Sequence, residues 1–293
     1  MRAVSGGRAG NSSGARWLWW LAWLLLAGPV LAGGLSLDGD FTQGGMAVGR
    51  GLPQGAKVWQ DGRPVDVGPG GIFLLGFARD AKPVSELRIR YPDGHEEKRR
   101  LKIARRQFRI QRINGLPANK VTPRTEAELA RIRRETAAVK KARRILRERA
   151  DFLQGFTWPV EGPISGTYGS QRVLNGKPRR PHYGVDIARP KGTTVVAPAD
   201  GVVIFADPDL FFSGGTLIID HGLRLNTSYL HLSKLLVKVG DRVRKGQPIA
   251  EIGATGRATG PHLHWGANLR DVRIDPQLLV PPMSRQVVEV GRK

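Results

Sequence analysis

Two histidines, His262 and His264, stand one residue apart in Pro261-His262-Leu263-His264-Trp265. On a β-strand alternate side chains share a face, so the two imidazoles point the same way, about 7 Å apart. That spacing suits one imidazole on a metal ion and the other on a water or substrate beside it. An isolated pair of this kind is a weak signal, and its weight comes from upstream. Five of the chain's six histidines fall within residues 182–264. In His182-Tyr183-Gly184-Val185-Asp186 a histidine precedes an aspartate by four positions. On a straight strand they would be about 13 Å apart, but a bend at Gly184 lets imidazole and carboxylate converge. His182, Asp186 and His264 would then offer two nitrogens and one oxygen with a fourth position open, the catalytic form of a zinc site. The chain has no cysteine, so the donors must come from His, Asp and Glu, and one Zn2+ per chain is the first choice for such a set. An open zinc position lowers the pKa of a water from ~15.7 towards ~7. The chemistry then needs a base for that water and a hydrogen-bonding group for a developing oxyanion. His231, in Ser228-Tyr229-Leu230-His231-Leu232, and His262 are the imidazoles left to do it.

These side chains need β-strands to hold them. From Phe156 onward the sequence is Gly-punctuated strand: Thr193–Ala197, Gly201–Ala206, Thr216–Asp220, Asn226–His231, Ile249–Ile252 and His262–Asn268. No helix-length period interrupts them, which predicts an antiparallel β-sheet domain over 152–293. The hairpin Val239–Ile249 has the look of a biotinyl or lipoyl half-barrel, but no lysine occupies a carrier-type turn. Residues 33–121 carry a second set of strands, Gly45–Arg50, Ala56–Gln60, Gly71–Gly76, Val84–Tyr91 and Lys98–Ile103, separated by turn signals such as Asp61-Gly62 and Asp93-Gly94. They predict a small β-sandwich-like module ending in a connector, with His95 exposed in a loop. Residues 122–151 read as a basic helical linker. Thr122-Pro123, or Thr125 with Glu128, supplies the N-cap, and Leu129, Ile132, Thr136, Val139 and Leu146 form one apolar stripe over about 25 residues. The overall class is mainly β.

The formal net charge is +22, and residues 1–151 hold 29 basic against 14 acidic groups. This favours an anionic partner, such as a cell-wall or membrane surface met through the basic helix. Residues 1–32 have the basic, apolar and small-residue regions of a secretory signal, with Ala32 at the cut. The apolar run of about 16 residues is short for a span, which leaves an uncleaved inner-membrane anchor as the alternative. Export to the periplasm argues against nucleic acid as the natural partner.

The quoted histidine motifs, with Val196–Val203, Ile219-Asp220-His221-Gly222, Gly240–Gln247 and Thr255–His264, make residues ~156–278 resemble the lysostaphin/LytM-type zinc metallopeptidases of bacterial cell walls. The resemblance implies His182, Asp186 and His264 as zinc ligands, and His231 and His262 as catalytic partners. It implies peptidoglycan stem peptides as substrate and an endopeptidase activity, with D,D-cross-links the expected bond. A non-catalytic wall-binding or hydrolase-activating module is the alternative, although none of the five motif positions is lost. His221 is expected in a structural role or beside the ligands. Tyr168, Arg172 and Asn175 could line the groove, Arg172 otherwise being a solvated loop residue. Trp265 belongs to the core or to the groove wall.

Overall fold

A computed structural model of the chain describes residues 34–123 and 125–283. The expected export segment, residues 1–32, lies outside the described residues. Among the described residues no helix is long and apolar enough to cross a membrane.

The first eight strands are β1 (Ser36–Gly39), β2 (Met46–Arg50), β3 (Lys57–Gln60), β4 (Arg63–Val65), β5 (Val67–Gly68), β6 (Ile72–Gly76), β7 (Val84–Arg90) and β8 (Glu96–Lys102). They form two four-stranded sheets, ordered β1-β2-β6-β5 and β4-β3-β7-β8. Alternation along β7 explains why a core forms here: Ser85, Leu87 and Ile89 point in, while the residues between them face out. Leu87 and Ile89 pack with Val58, Phe73 and Leu75 between the sheets, as expected for a small sandwich. The Asp61-Gly62 turn joins β3 to β4 with both residues at positive φ, 49° and 76°, the backbone that a tight hairpin requires.

The connector forms β9 (Ile110–Ile113) and a single helical turn, α1 (Ala118–Val121). Next comes α2 (Glu126–Arg143), shorter than the apolar stripe predicted. Its N-cap is Thr125, whose Oγ1 accepts from Glu128 N while Glu128 Oε2 accepts from Thr125 N. Thr122 instead ends α1. Leu146 lies beyond α2, because the chain turns after Arg143 and straps onto the domain that follows, Leu223 N donating to Arg147 O over 2.9 Å.

That domain contributes β10 (Ile164–Gly166), β11 (Gln171–Leu174), β12 (Lys177–Pro178), β13 (Val185–Ala188), β14 (Thr194–Val196), β15 (Gly201–Leu210), β16 (Gly214–Asp220), β17 (Leu225–Leu235), β18 (Arg242–Val243), β19 (Pro248–Ile252), β20 (His262–Leu269) and β21 (Val272–Ile274). Ten of them make one antiparallel sheet with the path β10-β13-β20-β17-β16-β15-β18. β11 and β12 instead join β9, which runs parallel to β11. The sheet's core holds Leu217, Ile219, Tyr229, Leu232, Ile252 and Trp265. Trp265 is fully buried, 5.6 Å from the Trp158 ring, so it is core and not groove wall. It lies between the sheet faces one residue after His264, so its packing fixes the strand that carries the histidine pair. Trp265→Ala should lower the unfolding free energy by about 3–5 kcal/mol in a urea titration. A loss below about 1 kcal/mol would mean that this side chain is not the packing anchor it is taken for.

Candidate metal centre

β13 and β20 pair antiparallel with Asp186 opposite His264 and Ala188 opposite His262. The register puts carboxylate and imidazole on one face, and a 2.8 Å contact joins His264 Nδ1 to Asp186 Oδ1. His182 arrives from the loop before β13. Its Nε2 lies 3.0 Å from Asp186 Oδ1 and 2.9 Å from His264 Nδ1. Gly184 permits this approach by having no side chain. A Cβ there would sit 2.6 Å from Trp265 O and 2.7 Å from His264 Nε2.

The donor chemistry fits a cation. His182 Nδ1 lies 3.1 Å from the Thr167 carbonyl, so it carries the proton and Nε2 turns a lone pair inward. Burial pushes His264 down to about 4, which keeps it neutral. Burial opposes ionisation of Asp186, but its contacts with His182 and His264 outweigh it and hold the carboxyl well below its ordinary range. Three acceptors therefore converge with at most one proton among them. Their separations of 2.8–3.0 Å approach the ~3.3 Å expected between ligands of a tetrahedral site with ~2.0–2.1 Å bonds. Among the described residues this is the one cluster of three His, Asp or Glu donors.

The other two site histidines stand beside the cluster. His262 Nδ1 donates to Gly260 O over 2.8 Å, and its Nε2 is 3.9 Å from Asp186 Oδ1. His231 Nδ1 donates to Thr255 O over 2.8 Å, and its ring lies 4.8 Å from that of His262 and 6.3 Å from that of His264. In each the backbone carbonyl fixes the tautomer and leaves Nε2 as an acceptor. His231 has φ +66°, unusual for a side chain with a Cβ and typical of strained positions held for a purpose. On an undistorted strand it would face away from Leu230, the residue paired with His264; the left-handed backbone turns it to the same side. Burial, reinforced by His262 and His264, pushes its imidazole down to about 3.

The remaining sequence candidates divide. Arg172 is not a solvated loop residue: it sits in β11 and donates from Nη2 to Asp186 Oδ2 over 2.7 Å. Burial lowers its pKa although Asp186 pulls the other way. Tyr168 does not face the groove; it is buried and its hydroxyl donates to Arg273 O over 2.8 Å. Asn175, at φ +46°, does not face it either. Its amide clamps the connector, donating to Leu116 O (2.7 Å) and accepting from Leu116 N (3.2 Å). His221 is fully buried, bonded to Asp200 O and Thr227 Oγ1, and pushed down to about 4 by burial. It is a structural group.

A cavity of about 300 Å³ opens over the cluster, walled by Arg172, Asp186, His231 and the Arg257–His262 loop. Its far wall is the connector: Gln111, Ile113 and Leu116. Sequence reading missed that wall and Arg257, since no period or motif ties residues 110–116 to a histidine 150 positions away. The parallel pairing of β9 with β11, Gln111 opposite Arg172, brings them together.

A β-sheet that presents a buried His-Asp-His centre in a groove, with two further imidazoles, defines a metallopeptidase-like protein. The comparisons specify which. The profile of peptidase family M23 matches residues 180–276. A crystal structure of a protein from Pseudomonas aeruginosa assigned to peptidase M23 is 32% identical with TM-score 0.62, covering 82% of this chain and 95% of that one. The chain belongs to peptidase family M23, a family of metallopeptidases. Among curated proteins it is 41% identical over 115 residues to an uncharacterized metalloprotease of Haemophilus influenzae, covering 39% of this chain and 24% of that protein. It is 39% identical over 133 residues to the peptidoglycan DD-endopeptidase ShyA of Vibrio cholerae, covering 44% of this chain and 31% of that protein. The matched region thus spans about a quarter to a third of the length of these curated relatives.

Because Arg172 orients the one carboxylate in the set, Arg172→Gln should weaken zinc affinity by about 10–100-fold in a competition titration while the fold is retained. Unchanged affinity would reduce the Arg172–Asp186 pair to a bystander.

Proposed function

We propose that this chain is a zinc-dependent endopeptidase that hydrolyses peptide cross-links of bacterial peptidoglycan, with the D,D-cross-link as the bond cut. The observation that carries the reading is the convergence of five side chains in one groove: His182, Asp186 and His264 on one point, His231 and His262 beside it. His182 Nε2, Asp186 Oδ1 and His264 Nδ1 would hold the zinc. Bound there, Zn2+ supplies a Lewis acid and a nucleophile at neutral pH.

The protein's own groups do the rest. His262 and His231 each enter with Nδ1–H tied to a carbonyl and Nε2 able to accept a proton. His262, with Nε2 nearest Asp186, takes the proton from the attacking water and returns it to the departing amine. His231, neutral because it is buried, accepts at Nε2 from the attacking water and orients it. Arg172 fixes Asp186 by occupying its outer oxygen. The connector wall narrows the groove to an extended peptide and excludes water from one side.

On this reading the β module and connector (33–121) and the basic linker (122–151) carry a peptidase domain (152–293). The preponderance of basic residues supports work on an anionic wall, and the N-terminal segment supports export to the periplasm. The names of the Vibrio cholerae relatives, which include three DD-endopeptidases, support the choice of bond.

Zinc-loaded full chain incubated with a defined cross-linked muropeptide dimer should yield monomers whose masses place the cut at the D,D-bond. Intact dimer in the presence of confirmed bound zinc would refute the enzyme reading, and a cut elsewhere would refute the choice of bond. His262→Ala should keep its zinc and lose about 10²–10⁴-fold in rate; a metal-free His262→Ala protein would show that this residue is a ligand instead.

A further inference from the structure

A second cavity, of about 710 Å³, lies away from the groove and shares none of its lining residues. It opens between α2 and the β16–β17 and β20–β21 ends of the large sheet. From α2 and its C-cap come Lys140, Arg143 and Arg144; from the sheet side come Arg180, Arg270 and Arg273. Among the described residues no carboxylate comes within ion-pair distance of these five arginines. Two acids, Glu135 and Asp271, also line the cavity, against Arg224 and the six basic residues just named. Glu135 accepts from Arg131 Nε (2.6 Å) and Phe211 N (2.8 Å), Asp66 faces Arg224 (3.5 Å), and Asp271 is exposed.

Two of the arginines hold donors with nothing to donate to. Arg143 Nε and Arg270 Nη1 are shut off from solvent without a hydrogen-bond partner. Burial, then the charge of Arg273, pushes Arg143 down to about 9, so it remains a cation at neutral pH. Buried, charged and unsatisfied donors are among the costliest groups a fold retains, and like charges beside them add to the cost. A single anion lodged among them removes both costs. The guanidinium fork matches the oxygens of a phosphate, and several forks around one cavity suit a group with more than one negative charge. The lining also includes the apolar side chains Ile132, Val139, Leu210 and Phe212, which could accept hydrocarbon next to the charged group.

We propose that this cavity is a binding site for a phosphate-bearing anion, either a free phosphate compound or the phosphate headgroup of an anionic lipid. The site does not depend on the peptidase reading, because a chain without hydrolytic activity would present the same arginines.

The test uses full chain with two probes: inorganic pyrophosphate by titration calorimetry, and phosphatidylglycerol vesicles by co-sedimentation against phosphatidylcholine vesicles. Arg144→Ala/Arg180→Ala removes two exposed cations at the mouth, and Arg143→Gln removes the buried one. Arg134→Ala/Lys141→Ala, exposed basic residues of α2 that do not line the cavity, is the charge-matched control. Saturable binding of either probe, weakened about tenfold or more by the cavity variants and not by the control, is the expected result. Pyrophosphate without vesicles identifies a free phosphate ligand, and vesicles without pyrophosphate a lipid headgroup. Binding of neither probe, or equal loss in cavity and control variants, overturns the proposal. If Arg143→Gln does not fold by circular dichroism, the mouth variant decides.

Discussion

Everything in the groove depends on one strand pairing. β13 and β20 run antiparallel with Asp186 opposite His264, and a slip of one residue would send either side chain to the other face. The pairing is held from below by the fully buried Val185, Ile187, Leu263 and Trp265, which alternate with the site residues along the same two strands. The apolar half of each strand therefore sets the register that the polar half needs. Gly184 lets the loop bearing His182 close onto this pair, and the left-handed backbone of His231 brings a residue of the next strand to the same side.

Placing three acceptors and two further imidazoles in a buried site is unfavourable unless each is anchored by its outer atoms. His182, His231 and His262 each give Nδ1–H to a main-chain carbonyl, and Asp186 receives Arg172. These four groups are each oriented by a bond on the far side, which is how outer partners tune a metal centre, whereas His264 is held by the packing of β20. Burial keeps His231 and His264 neutral, the state in which imidazole can ligate or accept a proton. Two neutral nitrogens and one carboxylate oxygen turned on one point are a donor set that suits a cation.

Much of this was legible in the sequence. β-prone runs between turn signals located eleven of the strands, nine of them to within one or two positions at each end, while short strands such as β4, β10 and β13 carried too few residues to stand out. Thr125 and Glu128 announced the start of α2 through a local capping pattern. The histidine motifs named five site residues because their chemistry is rare and their spacing tight. What the sequence hid is long-range. Arg172 looked like any polar loop residue, and only the sheet that joins β9 to β11 shows it beside Asp186. Tyr168 and Asn175 lie in the same stretch, yet one is core and the other a clamp on the connector, a difference set by tertiary packing. The early end of α2 was hidden too, since the chain after Arg143 is drawn to the turn at 221–223 despite a continuing apolar spacing.

The central claim is a division of labour among five side chains, and the direct measurement is anomalous diffraction at the zinc edge from crystals of the zinc-loaded full chain. The account predicts a single strong peak within bonding distance of His182 Nε2, Asp186 Oδ1 and His264 Nδ1, with His231 and His262 outside it. A peak bonded to His262 or His231 in place of one of those three, or no peak at this cluster, would contradict it.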